Sequence, residues 1–332
     1  MRKIGRFLLG YAIYIVLFVL LTTIVLIDNS FLSFRNFGFI LSQASTRIIL
    51  ALGIAGIIVA GNTDLSLGRS VGLAAIVVCS LLQNPAYSGR IYSSMPQLPL
   101  WIPLLAAMLI CAFFSVIQSL VVGVLKVAPF IASLGFQLML FGIQSIYFDT
   151  VNNSSPIGGL DPAFSRFAQG AFNVAGVRLP YLVIYAATTT AFVWFVWNKT
   201  KLGKNMFAIG GNSEAASVSG VSIVKNLAAV YFIAGLLYGF GGALEGARTG
   251  SATNMTGQSY ELDAIAACVV GGVSMRGGIG SIIGVITGVL IFQVINYGLV
   301  FIGVNPYIQY TIKGFIIILA VSIDTQKYLK KK

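Results

Sequence analysis

The sequence predicts an all-α protein: a polytopic bundle of about ten membrane-spanning helices with both termini in the cytoplasm. Three features carry that reading. Of 332 residues, 57% are hydrophobic and only 9% charged, whereas soluble domains carry about a quarter charged residues. Apolar runs recur at the ~20-residue length that crosses a bilayer as a helix. Basic residues gather in alternate connections. Apolar and polar residues alternate only weakly, which argues against a membrane β-barrel.

The first span, 7–27, follows Arg2, Lys3 and Arg6. It could mimic a signal peptide, but it is longer than such a core and no small-residue cleavage site follows, so a retained helix is expected. The next spans are expected at 39–60, 69–83, 100–124, 129–148, 180–197, 226–247, 262–275, 280–301 and 306–323. The eighth is short and glycine-rich, so a full and a broken helix both stay open. The longest outer connection, Asp149 to Leu179, holds Asn152, Asn153, Pro156, Gly158, Gly159 and Pro162 and reads as irregular structure. The whole chain, 1–332, reads as one transmembrane domain with a cytoplasmic loop at 198–226.

With both termini inside, fourteen of the 21 Lys and Arg face the cytoplasm and five face outward, Arg47 and Lys313 falling within spans. The net charge of +12 is thus a topology signal. Nucleic acid is a poor partner, because the charges are spread over many loops without a basic stripe. Gly242, Gly246 and Gly250 recur every four residues, as do Gly280, Gly284 and Gly288. That spacing lets helix backbones approach closely in lipid, within one subunit or at a dimer seam or moving gate.

Catalysis is poorly served. There is no histidine, which removes the commonest metal ligand and general base together. Cys79, Cys111 and Cys268 lie in apolar segments without ligand spacing and read as small core residues. Gly203-Lys204 is followed by Asn205 and lacks the upstream glycine of a phosphate-cradling P-loop. No catalytic residue, no metal ligand and no cofactor is expected in this chain.

Three groups of polar residues stand out. In the loop 198–226, Asn212 is a good N-cap, Glu214 falls in the first turn where the helix dipole favours an anion, and Ala215-Ala216 leaves a bare surface. Gly220 fits the helix stop. Such a short smooth helix suits docking in a partner's groove; a helix lying on lipid headgroups is the alternative, disfavoured by the lack of large apolar residues. In the membrane, Asp64 and Arg69 flank an expected helix break with Asn62, Thr63 and Ser66 around them. They form either a hydrophilic patch beside a translocation path or a structural ion pair with helix caps. Glu245 and Arg248 stand three apart at the outer end of the seventh span, with Glu261 and Asp263 on the same side; the first two can stabilise their own helix. Arg47 and Lys313 are expected to pair inside the bundle.

The Glu214-Ala215-Ala216 pattern with Gly220 four residues on resembles the coupling loop of ABC importer permeases. Asp64-Leu65-Ser66-Leu67-Gly68 resembles a signature of the bacterial monosaccharide permeases for ribose, xylose and arabinose, as does Tyr260-Glu261-Leu262-Asp263-Ala264-Ile265-Ala266-Ala267 with Val270-Gly271-Gly272. The galactose/methyl-galactoside branch is the nearest match, through Thr63-Asp64-Leu65-Ser66 with Gly68-Arg69, Gly203-Lys204-Asn205 with Phe207 to Asn212, Gly250 to Asn254, and Val304-Asn305-Pro306-Tyr307. Asn62-Thr63 stands where the wider family usually has Gly-Ile, a departure that agrees with the galactose branch.

The resemblance implies a pore made with a second copy of the chain in the bacterial inner membrane, bathed in lipid. It implies a separate ATP-binding cassette subunit holding ATP and magnesium, docked at Asn212, Glu214, Ala215, Ala216 and Gly220. A sugar-binding protein outside would deliver a monosaccharide, with Glu245, Arg248 and Glu261 as candidate contacts. The chain would then be no enzyme on its own. The alternatives are the same machinery for another sugar such as ribose, an ion-coupled secondary sugar transporter, and a membrane enzyme acting on lipids.

Overall fold

A computed structural model describes residues 18–174 and 177–329. Arg2, Lys3, Arg6, the beginning of the expected first span and Lys330 to Lys332 lie outside the described residues. The helices are α1 (described over Phe18–Ile27), α2 (Phe34–Val59), α3 (Leu67–Leu81), α4 (Trp101–Gly123), α5 (Pro129–Asn152), α6 (Pro162–Gln169), α7 (Tyr181–Lys199), α8 (Lys201–Gly211), α9 (Ser213–Val218), α10 (Ile223–Thr249), α11 (Tyr260–Val270), α12 (Ile282–Phe301) and α13 (Pro306–Leu329). A hairpin of β1 (Ala171–Val174) and β2 (Val177–Pro180) pairs Ala171 with Pro180 and Asn173 with Arg178.

Local chemistry sets the boundaries. Proline begins α5, α6 and α13, where its missing N–H is no loss. Ser33 and Ser281 accept from the N–H groups of Asn36 and Gly284 to cap α2 and α12. Gly250, at φ +78°, closes α10 in the left-handed conformation.

Six of these helices are long and apolar enough to cross a membrane: α2, α4, α5, α7, α10 and α12. Among the described residues the ten complete crossings are not all present at full length. The expected third span is α3, 15 residues and about 22 Å long, and the eighth is α11, 11 residues and about 16 Å; both fall short of the ~30 Å hydrocarbon core. Beyond Val270 the chain turns through Gly271 to Gly280 before α12 begins. The outer connection is also more ordered than expected. It holds α6, capped by Asp161 accepting from the Ala163 N–H, and the hairpin.

α10 is the hub, lying against α2, α3 and α4. Small residues permit that closeness: Gly235 lies on the backbone of Ala112, Gly239 on that of Met108, and Gly242 on Val71 and Ala74. Gly246 meets the Cys79 thiol, Gly284 the carbonyl of Gly271 and Gly288 the carbonyl of Ala267. The four-residue glycine pattern therefore packs helices of one chain together. All three cysteines are free and buried, as small core residues are.

Candidate functional site: a docking helix and buried polar centres

The loop after α7 folds into two helices. Thr200 caps α8 by accepting from the Gly203 N–H at 3.2 Å, while Asn205 donates to Asn226 at 3.0 Å and ties the two ends of the loop together. α8 runs through Gly210 and Gly211 to its end. Asn212 ends α8 and begins α9, its side chain accepting from the Ala215 N–H at 2.9 Å. Within α9 only Ala216 is buried; Glu214 and Ala215 are exposed, and Val218 is 90% exposed. Gly220, at φ +83°, stops the helix with open space around it. The product is a capped, small-residue helix presented outward.

The expected break between α2 and α3 lies at 60–66. Asp64 is fully buried there. Its Oδ1 accepts from the Ser66 N–H (2.8 Å), the Ser66 hydroxyl (2.7 Å) and Gln118 Nε2 (3.0 Å). The buried hydroxyls of Tyr231 and Tyr238 on α10 lie close by without a well-aligned hydrogen bond, Tyr238 beside the Asp64 carboxylate and Tyr231 beside Gln118. Buried irregular backbone is tolerable at membrane depth because surrounding protein satisfies most of it. Asn62 and Ser66 are buried beside it.

Arg69 does not pair with Asp64. One turn into α3, its guanidinium lies 4.3 Å from the centre of the Phe141 ring and donates to the Asn254 carbonyl at 3.3 Å. The ion-pair alternative is thereby corrected: the break aims the two side chains to different neighbours.

Toward the Phe34 end of α2, Glu245 is only 1% exposed. It accepts from Arg248 Nε and Nη2 (3.0 and 2.7 Å), the Tyr260 hydroxyl (2.6 Å) and Thr46 (3.2 Å). Arg47 stacks on the Tyr260 ring, 3.1 Å from its centre. Glu261 is 6% exposed, accepts from Gln137 at 3.2 Å and lies against Gly68. Lys313 meets Asp263 at 3.3 Å. Glu245 and Glu261 therefore face into the bundle, which corrects their expected role as outward docking groups. The outward charge at this end comes from Arg248 together with two residues that the sequence marks only in the tally of outward basic residues, Arg35 and Arg178. Arg35, Arg178 and Arg248 line a cleft of about 720 Å³ with Phe34, Phe39 and Gln169. No local motif marks Arg35 and Arg178; only the fold brings the hairpin beside α2.

A bundle of membrane-length helices, with polar groups sealed inside and a capped helix held out at one end, is the build of a membrane permease. The chain belongs to the family described as branched-chain amino acid transport system / permease component, which matches residues 36–321. It is 55% identical to the galactose/methyl galactoside import permease protein MglC of Haemophilus influenzae, over 97% of this chain and 95% of that protein. The Escherichia coli protein of the same name is 54% identical, over 96% and 95%. The ribose import permease protein RbsC of Bacillus subtilis is 35% identical, over 98% and 94%. No solved structure matches.

Proposed function

We propose that this chain is the membrane-spanning subunit of an ATP-binding cassette importer for galactose and methyl galactoside. The observation that carries the reading is the order of identity: 53–55% to three galactose/methyl galactoside permeases and 37% to a fourth, against 32–35% to ribose permeases. In this reading two copies form the path in the bacterial inner membrane. The ten apolar segments lie at membrane depth with both termini cytoplasmic, which the inward bias of Lys and Arg supports. A separate cassette subunit holds ATP and magnesium and seats α9, through Asn212, Glu214, Ala215, Ala216 and Gly220. A sugar-binding protein docks at the opposite end, where Arg248 is the member of the expected trio with outward surface.

Asn62, Asp64, Ser66 and Arg69 border the path when it opens. Closure of the cassettes would bias a two-state bundle through differential contacts at α9.

The test is ATPase activity of the chain reconstituted with cassette and receptor subunits, titrated with galactose and with ribose. Stimulation by galactose-loaded receptor, lost in Gly220→Trp, is the expected result. Stimulation by ribose alone would discard the substrate and keep the class. Uptake that collapses with the proton gradient while ATP remains would replace the reading with ion-coupled transport.

A further inference from the structure

We infer that a junction of glycines without intervening side chains carries movement of the docking helix to the buried Asp64 segment, with Gly210 as its positioning residue, a role that rests on the importer reading. Three backbone segments meet beside α9. The last turn of α8 sets Gly210 on the carbonyl of Val59, the final residue of α2. A methyl group at Gly210 would overlap that oxygen and come within 2.6 Å of the Gly278 nitrogen. Gly278 donates its N–H to the same Val59 carbonyl at 2.8 Å. Gly277 sits between Gly210 and Gly61: a methyl there would lie 2.7 Å from the Gly210 oxygen and 2.8 Å from the Gly61 Cα. Gly61, Gly277 and Gly278 have φ of +82°, +84° and +72°, a region glycine enters freely.

Each segment leads to a part that has to move. Gly211 passes directly into Asn212, the cap of α9. Gly61 leads through Asn62 to Asp64. Gly278 leads to Gly280, which packs on Val59, and then to α12, whose Gly284 and Gly288 rest on backbone of Gly271 and Ala267. A flexible side chain between these segments could absorb a shift by changing rotamer. Backbone in direct contact has no such slack, so displacement of α8 and α9 passes to the end of α2 and to the α11–α12 turn. Gly211 supplies a control one residue away, because a methyl group there meets nothing within 4 Å.

The experiment compares Gly210→Ala with Gly211→Ala in proteoliposomes holding the full complex with cassette ATPase and sugar-loaded receptor. It reads sugar taken up per ATP hydrolysed. Both changes replace glycine by the better helix former, so they differ chiefly in the junction. Gly210→Ala is expected to lower the ratio at least tenfold with the ATPase still co-purifying, and Gly211→Ala to stay within twofold. An assembled Gly210→Ala complex with the wild-type ratio would overturn the role. If Gly210→Ala does not assemble, hydrogen exchange on the wild-type complex decides. Trapping with an ATP analogue must alter exchange at 59–63 and 274–280 together with 211–220, and a change confined to 211–220 overturns the role. A wild-type complex without receptor-stimulated ATPase would overturn the importer reading itself and this role with it, a result distinct from loss in Gly210→Ala alone.

Discussion

The helix α2 is fastened by opposite means along its length. At Val59 it is gripped by bare backbone: Gly210 rests on its carbonyl and the Gly278 N–H donates to the same oxygen, with no charged group in the contact. Farther back, at Thr46 and Arg47, it is held by charge, through the buried Glu245 and its ring of Arg248, Tyr260, Thr46 and nearby Arg47. The contrast separates two kinds of vulnerability. A neutral backbone contact fails when atoms are added. A buried ionic network fails when a partner is removed, because the remaining charge is left without compensation.

The largest effect is expected at the charged end. Glu245→Ala leaves the Arg248 guanidinium without its carboxylate in a largely buried site, and breaking such a pair costs about 3–5 kcal/mol. Thermal unfolding in detergent measures it, and Glu245→Gln, which keeps the shape and one acceptor, should recover part of the loss. An unchanged Tm in Glu245→Ala would remove the distinction between the two regions. Asp64→Asn comes next, at about 1–3 kcal/mol, since an amide accepts less well from the Ser66 N–H, the Ser66 hydroxyl and Gln118. Sugar uptake by the same variant separates its roles: uptake intact at reduced stability marks Asp64 as structural, and uptake lost in a folded complex marks the path.

At the neutral end, Gly210→Ala is expected to destabilise by about 1–3 kcal/mol through overpacking against Val59, whereas Gly211→Ala changes stability by at most about 1 kcal/mol, in the stabilising direction. Paired melting curves sharpen the comparison, and equal shifts would dissolve it.

Local chemistry was readable in the sequence; distant partners were not. The α9 cap was legible because Asn212, Glu214 and Gly220 act within one turn of themselves, and the structure has Asn212 bonded to the Ala215 N–H as that pattern implies. The Glu245–Arg248 pair was legible for the same reason, since i and i+3 share a helix face. Its burial was not, because Tyr260 and Thr46 arrive from other helices. Glycine is a poor helix former, yet α8 runs through Gly210 and Gly211, with Gly210 set against the Val59 carbonyl. Hydropathy placed the apolar segments, and the polar run Asn62, Thr63, Asp64 and Ser66 made the break before α3 legible, whereas the early end of α11 at Val270 is set by the glycine-rich turn that follows it. Asp64 and Arg69 looked like a pair by spacing alone; only the direction of the chain at the break parts them.

The glycine junction at Val59 has one more property. Closing a contact between ordinary residues immobilises side chains, at up to about 2 kcal/mol for the long ones, while glycine has no side-chain freedom to lose. The junction of Gly61, Gly210, Gly277 and Gly278 can therefore open and re-form without sorting through alternative rotamers. It returns to the same geometry each time, like a mechanical stop rather than a tuned adhesive, and its fit is set by the chain path alone.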